Sequence, residues 1–255
     1  VPVEQVINDF GENVKQILRN NITESKFDKR KLRMSNIGKK DRQLWYSYNG
    51  YKGEELMPHT RIKFLYGHLI EEMILALTKL SGHDVTHEQK QVEVNGIKGS
   101  MDCKIDGVLT DVKSASPYGF KKFKDGSLIN DDPFGYIDQI SGYGQAEGAD
   151  EACFLAMDKS NGHLAVTKVD LLDKDVVKRI KHVKEMIELD TIPEPCYDLV
   201  PNGKSGNMKL PIGCSYCEFK KHCYPNMRVF AYSTGPRFLA VVNKEPNVME
   251  IRNYE

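Results

Sequence analysis

Two aspartates, a lysine and a tight turn share the stretch GSMDCKIDGVLTDVKS, residues 99–114, in a spacing that brings their charges together. Asp106-Gly107 is a strong two-residue hairpin dipeptide. With those two residues as the loop, Ile105 pairs with Val108, and counting outwards sets Asp102 opposite Asp111. Side chains alternate along a strand. One face therefore reads Ser100, Asp102, Lys104, Leu109, Asp111 and Lys113, and the other, apolar one reads Met101, Cys103, Ile105, Val108 and Val112. Like charges directly opposite each other cost a sheet roughly 0.2–1 kcal/mol. Two arrangements relieve the repulsion: a hard divalent cation between the carboxylates, with oxygen ligands, or a solvated polar face on which Lys104 and Lys113 balance the acids.

A second group of chemical residues lies late in the chain: Cys196, then Cys214, Cys217 and Cys223 in a C-x2-C-x5-C spacing. Two cysteines two residues apart clamp one metal from a tight turn, and a third can close on it. Cys196 is the expected fourth ligand, with His222 the weaker option because it adjoins Cys223. Free thiols are the alternative. Cys103, on the apolar face of the hairpin, and Cys153, near the start of a predicted strand, read as plain buried cysteines.

The elements that must hold these groups follow from periodicity. Val6, Phe10, Val14, Ile17 and Leu18 give an N-terminal accessory helix. Residues 26–42 carry Lys26, Lys29, Arg30, Lys31, Arg33, Lys39, Lys40 and Arg42 and are followed by Trp45, Tyr46, Tyr48 and Tyr51. Cations followed by rings suit a nucleic-acid strand, the cations tracking phosphates and the rings stacking on bases; a surface loop with an apolar anchor has the same sequence signature. A long helix is predicted over 60–80, its stripe being Ile62, Leu65, Leu69, Met73, Ala76, Leu77 and Leu80, with Gly67 admitting a close neighbour and Glu71 and Glu72 beside the stripe. Asn95-Gly96 joins a strand at 88–94 to the Gly99 strand, predicting a three-stranded antiparallel meander through Ser114. Residues 115–135 read as a loop able to act as a flap, 136–147 as a helix, 152–158 and 163–169 as strands, and 173–189 as a helix. The pattern is α/β or α+β, divided as an N-terminal helical and basic/aromatic segment 1–59, a core 60–192, and a cysteine-rich segment with a C-terminal hairpin, 193–255. Residues 193–228 hold few large apolar side chains, so metal binding is expected to supply much of their folding free energy.

At 255 residues with 40% hydrophobic side chains the chain can build a substantial core, and its formal net charge of zero neither demands nor excludes a polyanionic partner. No apolar run approaches the ~20 residues of a membrane span. The first residues, VPVEQVINDF, lack the pattern of a signal peptide. A cytoplasmic protein without a membrane partner is the expectation, and there six cysteines favour a metal site over a disulfide framework. No phosphate-binding G-x-x-x-x-G-K-[ST] sequence occurs, so any ATP-driven step would need a partner.

Read in order, Gly67 with Glu71, Gly99 with Asp102, Asp111-Val112-Lys113, Gln139 with Tyr143, and Cys214, Cys217 and Cys223 resemble the ordered motifs of the RecB-like branch of the PD-(D/E)XK nucleases, which includes phage-encoded and CRISPR-associated exonuclease relatives. The resemblance implies a restriction-endonuclease-like core, a central mixed sheet flanked by helices, with a C-terminal cysteine-rich metal-binding appendage. It implies a Mg²⁺- or Mn²⁺-dependent deoxyribonuclease, exonuclease favoured over endonuclease, acting on single-stranded DNA or duplex ends in replication, recombination, repair or phage DNA processing. Glu71, Asp102 and Asp111 would hold the ion, Lys113 would assist the nucleophile, and Gln139, Tyr143 and Arg42 would meet the substrate. Cys196, Cys214, Cys217 and Cys223 would hold a structural [4Fe–4S] cluster or zinc. Two features depart from the pattern. Glu71 stands where many members have histidine, and the cysteine that usually precedes the first helix is missing from the similar stretch, residues 35–42. The alternative reading is a catalytically inactive nucleic-acid-binding or structural subunit of a recombination complex, with a recombination or replication protein as partner.

Overall fold

The computed structural model describes residues 1–22, 31–55, 57–252 and 254. In chain order these form α1 (Val3–Ile22), α2 (Asp41–Tyr48), α3 (Pro58–Leu80), β1 (Val85–Thr86), β2 (Lys90–Val94), β3 (Ile97–Met101), β4 (Cys103–Ile105) and β5 (Val108–Ala115). There follow α4 (Pro117–Lys124), α5 (Tyr136–Glu147), β6 (Glu151–Asp158), β7 (Leu164–Asp170) and α6 (Val176–Ile187). The last stretch holds β8 (Val200–Pro201), β9 (Met208–Lys209), α7 (Ile212–Ser215), α8 (Lys220–Cys223), β10 (Arg228–Tyr232) and β11 (Gly235–Val241). Two compact units result. The first takes residues 1–22, 32–38 and 58–181, and the second takes residue 31 with 39–55, 57 and the described residues from 182 onward. The expected N-terminal segment is thus shared between them, α1 going to the first and α2 to the second.

The first unit is built on a five-stranded mixed sheet in the order β1-β4-β5-β6-β7, in which β5 and β6 run parallel and the other pairs antiparallel. A parallel pair needs a crossover, and residues 116–150, with α4 and α5, supply it. The β4–β5 hairpin has the expected register, Ile105 with Val108, Lys104 with Leu109 and Cys103 with Thr110. Asp106 and Gly107 both have positive φ, 50° and 83°, as a twist-matched two-residue turn requires. The predicted meander is interrupted, however. Among the strands β2 and β3 pair only with each other, apart from a single bridge of Lys98 to Arg33, and Asp102 lies between β3 and β4 in neither strand.

Helix α3 packs Ile70, Ile74 and Leu75 on Cys103, Ile105, Val112, Leu155 and Met157 of the sheet. Ile74 and Leu75 are 3% and 2% exposed, each contributing about 1.5–3 kcal/mol by burial. The predicted stripe is therefore displaced: Ile62, Leu77 and Leu80 are exposed, and the inward face follows Gly67, Ile70, Glu71, Ile74 and Leu75. Another face of the same helix takes α1, whose Val6 is buried. At Gly67 a Cβ would meet only Ser114 Oγ at 3.8 Å, so this glycine answers no tight approach. The predicted loop after β5 begins as a helix, because Ser116 caps α4 through the Gly119 N–H and Pro117 opens it. Phe120 and Phe123 of α4 are buried, and the Phe123 carbonyl accepts the Thr167 hydroxyl of β7 at 2.6 Å.

The second unit has its own sheet, β10-β11-β9-β8, and its own apolar cluster of Leu210, Val229 and Phe238, packed by Leu199, Tyr224, Met227, Ala240 and Ile251. That core corrects the expectation that residues 193–228 have little to pack. Trp45 and Tyr46 of α2 are 5% and 3% exposed and form a ring cluster with Tyr51, Phe219 and His222. Their neighbourhood is interior, so they are the apolar anchor of this unit and are not open to stack on bases. Lys26, Lys29 and Arg30 lie outside the described residues. No helix among the described residues is long and apolar enough to cross a membrane.

Candidate active site

Asp111 stands on the central strand β5 and is 1% exposed. A central strand is covered on both sides, so the carboxylate is interior and the solvated alternative for its face does not hold. Lys113, one period-two step along, forms a close ion pair with it. Beyond that ion pair, neither Asp111 oxygen has a hydrogen-bond partner among the described residues. A buried carboxylate is ordinarily satisfied, and here the Lys113 ammonium is the partner that compensates its charge.

Two further acids converge on it. Asp102, at the seam between β3 and β4, accepts the Val112 backbone N–H on Oδ2 at 2.7 Å. Burial, followed by the charges of Asp111 and Glu71, raises its carboxyl well above the usual carboxylate range. Glu71, on the inward face of α3, is pushed up to about 7 by burial and then by Asp111, with Lys113 and a hydrogen bond from Gln89 pulling the other way. Burial works against the Lys113 ammonium, but Asp111 and Asp102 outweigh it and raise its pKa. The ammonium also lies 5.1 Å from the centroid of the Tyr136 ring. Three mutually repelling acids and one cation thus share a buried pocket of charge, which suits a hard divalent ion. Glu72, the neighbouring acid on α3, is turned to α1, where Asn13 donates to it at 2.9 Å.

Gln139 and Tyr143 stand one turn apart on α5, and the Gln139 amide donates to the Tyr143 hydroxyl at 3.0 Å. Tyr143 is 2% exposed, and burial pushes its hydroxyl up to about 12. Its ring is packed inside the unit. There it fixes Gly99: a Cβ at that position would lie 2.5 Å from Met34 Cβ and 2.9 Å from Tyr143 Cε1. Gly99 is thus required by crowding just ahead of Asp102.

In the second unit, Cys214 and Cys217 flank a tight turn in which the Cys217 N–H reaches the Cys214 carbonyl at 3.1 Å. Cys196, Cys214, Cys217 and Cys223 are all free and partly buried. Burial, then repulsion from Cys196, Cys217 and Cys223, pushes the Cys214 thiol up to about 12; burial raises Cys217 to about 11 with Cys196 and Cys223 adding to it. The four sulfurs therefore lie within reach of one another's charge. Arg42, expected at the substrate, is turned into this unit: its Nε donates to the Pro193 carbonyl at 2.5 Å and its Nη1 lies 3.9 Å from Cys223 Sγ. Among the described residues no group of three or more His, Cys, Asp or Glu side chains is already arranged to hold a metal ion.

No family model matches the chain, and no curated protein matches it. Solved structures do resemble it in outline. The crystal structure of SSO0001 matches with a TM-score of 0.46 at 16% identity, covering 84% of this chain and 94% of that one. An alkaline exonuclease, LHK-Exo, from Laribacter hongkongensis gives 0.42 at 15% identity, over 63% of this chain and 91% of its own. A phage-related exonuclease from Haemophilus somnus 129PT gives 0.43 at 16%, over 62% and 91%.

The functional reading rests on the side chains themselves. One exposed residue that contacts them is invisible in the sequence. Gln89 touches both Glu71 and the Asp102 backbone, and its lone signal is a left-handed backbone that no glycine announces.

Proposed function

We propose that the chain is a divalent-metal-dependent deoxyribonuclease of the RecB-like PD-(D/E)XK kind, with exonuclease action favoured. The observation that carries this reading is Asp111, buried to 1% and ion-paired with Lys113, within the field of two further acids, Asp102 and Glu71. One lysine cannot balance three buried acids, and a divalent cation would supply the missing positive charge. A DNA substrate, as single strands or duplex ends, and a cytoplasmic setting, in the host if the protein is phage-encoded, fit this chemistry.

Asp102, Asp111 and Glu71 would hold Mg²⁺ or Mn²⁺, which when bound polarises a phosphate and lowers the pKa of a bound water. Lys113 is kept charged by Asp111 and Asp102, so it acts as a fixed cation that orients the nucleophile and offsets developing negative charge. Tyr136 presents its ring to that ammonium. Gln139 and the buried Tyr143 brace α5 beneath Gly99 and so set the seam that carries Asp102. In the second unit, Cys196, Cys214, Cys217 and Cys223 would, as thiolates, supply a donor set suited to zinc or a [4Fe–4S] cluster with a structural role.

The test is a time course on end-labelled linear DNA beside a closed circle, with and without Mg²⁺. Mg²⁺-dependent loss of label from the linear DNA alone supports an exonuclease, and cutting of the circle favours an endonuclease. No cleavage with Mg²⁺ or Mn²⁺ would sink the reading in favour of a catalytically inactive subunit.

A further inference from the structure

Gln89, between β1 and β2, is the point at which the segments bearing the acids are tied together. Its φ is 51°, in the left-handed region that residues other than glycine, asparagine and aspartate seldom enter. In that conformation its backbone N–H donates to the Asp102 carbonyl at 2.9 Å. Its side-chain Nε2 donates to Glu71 Oε1 at 2.8 Å, and its Oε1 accepts the Ser100 hydroxyl at 3.0 Å. Helix α3, strand β3 and the seam at Asp102 thus meet on a single residue. Glu88 beside it is spent elsewhere, on Lys79. A strained backbone persists where its surroundings over-determine it, and such residues gather at functional sites.

The chemistry of the side chain fits the task. A lysine in this place would hold Glu71 by neutralising it and would compete with a metal ion. An amide orients the carboxylate and leaves its charge available. We propose that Gln89 is a positioning residue that sets the spacing and orientation of Glu71 and Asp102 for the divalent ion; this rests on the nuclease reading. Partners of this kind, which touch ligands and not the metal, typically govern affinity by about 10–100-fold.

Gln89→Asn tests it, because asparagine tolerates the left-handed conformation and keeps the amide but is one methylene too short to reach Glu71 and Ser100 together. Gln89→Gly is the second variant: it relieves the backbone and deletes the amide. Both are measured for Mn²⁺ affinity by titration calorimetry in the absence of DNA, and for thermal midpoint. The expected result is a midpoint equal to or above that of the wild type, with Mn²⁺ affinity reduced about 10–100-fold in both variants. With Mn²⁺ saturating, kcat should recover towards the wild-type value. Wild-type Mn²⁺ affinity in both variants overturns the proposal while leaving the nuclease reading intact. If the wild-type protein has no Mn²⁺ site that Asp111→Asn removes, the nuclease reading fails and the proposal falls with it.

Discussion

Asp111 gives the sharpest expectation at the scale of a residue. Asparagine matches its shape, so Asp111→Asn should leave the fold intact while cutting Mg²⁺-dependent cleavage by about 100-fold or more, as loss of an electrostatic group at a reacting phosphate does. Lys113→Ala should reduce turnover similarly. Wild-type turnover by either protein, folded by circular dichroism, removes the residue from the site. Alanine is the poorer probe of Asp111, because at 1% exposure it would add a cavity to the lost charge. Glu71→Gln should impair cleavage and Glu72→Gln should not, since Glu72 is engaged by Asn13; the reverse result would shift the ligand by one residue. Gly99→Ala should cost about 1–3 kcal/mol in urea unfolding, because its methyl meets Met34 and Tyr143. The grouping of Asp102, Asp111 and Lys113 was legible because one turn dipeptide sets the hairpin register. Gln89 was not, since a left-handed glutamine has no sequence mark and its partner Glu71 lies on a helix whose inward face the apolar residues misreported.

Among the elements, the hairpins, α5, β6 and β7 follow directly from turn residues and periodicity, while α4 was hidden. Its lysines and small size suggested a loop, and the decisive signal was the Ser116-Pro117 cap. The exposed Ile62, Leu77 and Leu80 on α3 misled the stripe in the same way, because hydrophobicity alone does not report which face is covered. At the end of α5, Glu147 bridges Lys90 of β2 and Lys104 of β4 at 2.7 and 2.9 Å, linking the small hairpin to the main sheet. Those two hydrogen-bonded cations hold its carboxyl below the ordinary glutamate range. A depressed folded pKa contributes stability above the unfolded pKa and loses it as pH falls through the folded one. Glu147→Gln should therefore lower the thermal midpoint at pH 7 and converge on the wild type in acid. A constant difference at every pH would show that the bridge contributes packing alone.

For the whole molecule, the two units call for separate probes. The thiols of the second unit and the oxygens of the first differ in kind, so chelating Mg²⁺ should stop cleavage without releasing a thiolate-bound metal. A visible spectrum and elemental analysis after anaerobic purification distinguish iron and sulfide from zinc, and metal-free protein with four reactive thiols would refute both. The metal proposed for the four thiolates would be lost in Cys214→Ser with a lower thermal midpoint, yet β8 to β11 should stay folded because Leu210, Val229 and Phe238 give this unit its own core. That core was hard to read in advance because its apolar residues are widely spaced between prolines and glycines. The parallel pairing of β5 with β6 has a kinetic side. The β4–β5 turn closes over two residues, whereas β6 can dock only after residues 116–150 have been gathered in, and closing the longer loop is the slower event. The strand bearing Asp111 would thus find its hairpin partner before its central place, so refolding should be slowed more by changes at Asp106-Gly107 than by changes on β7.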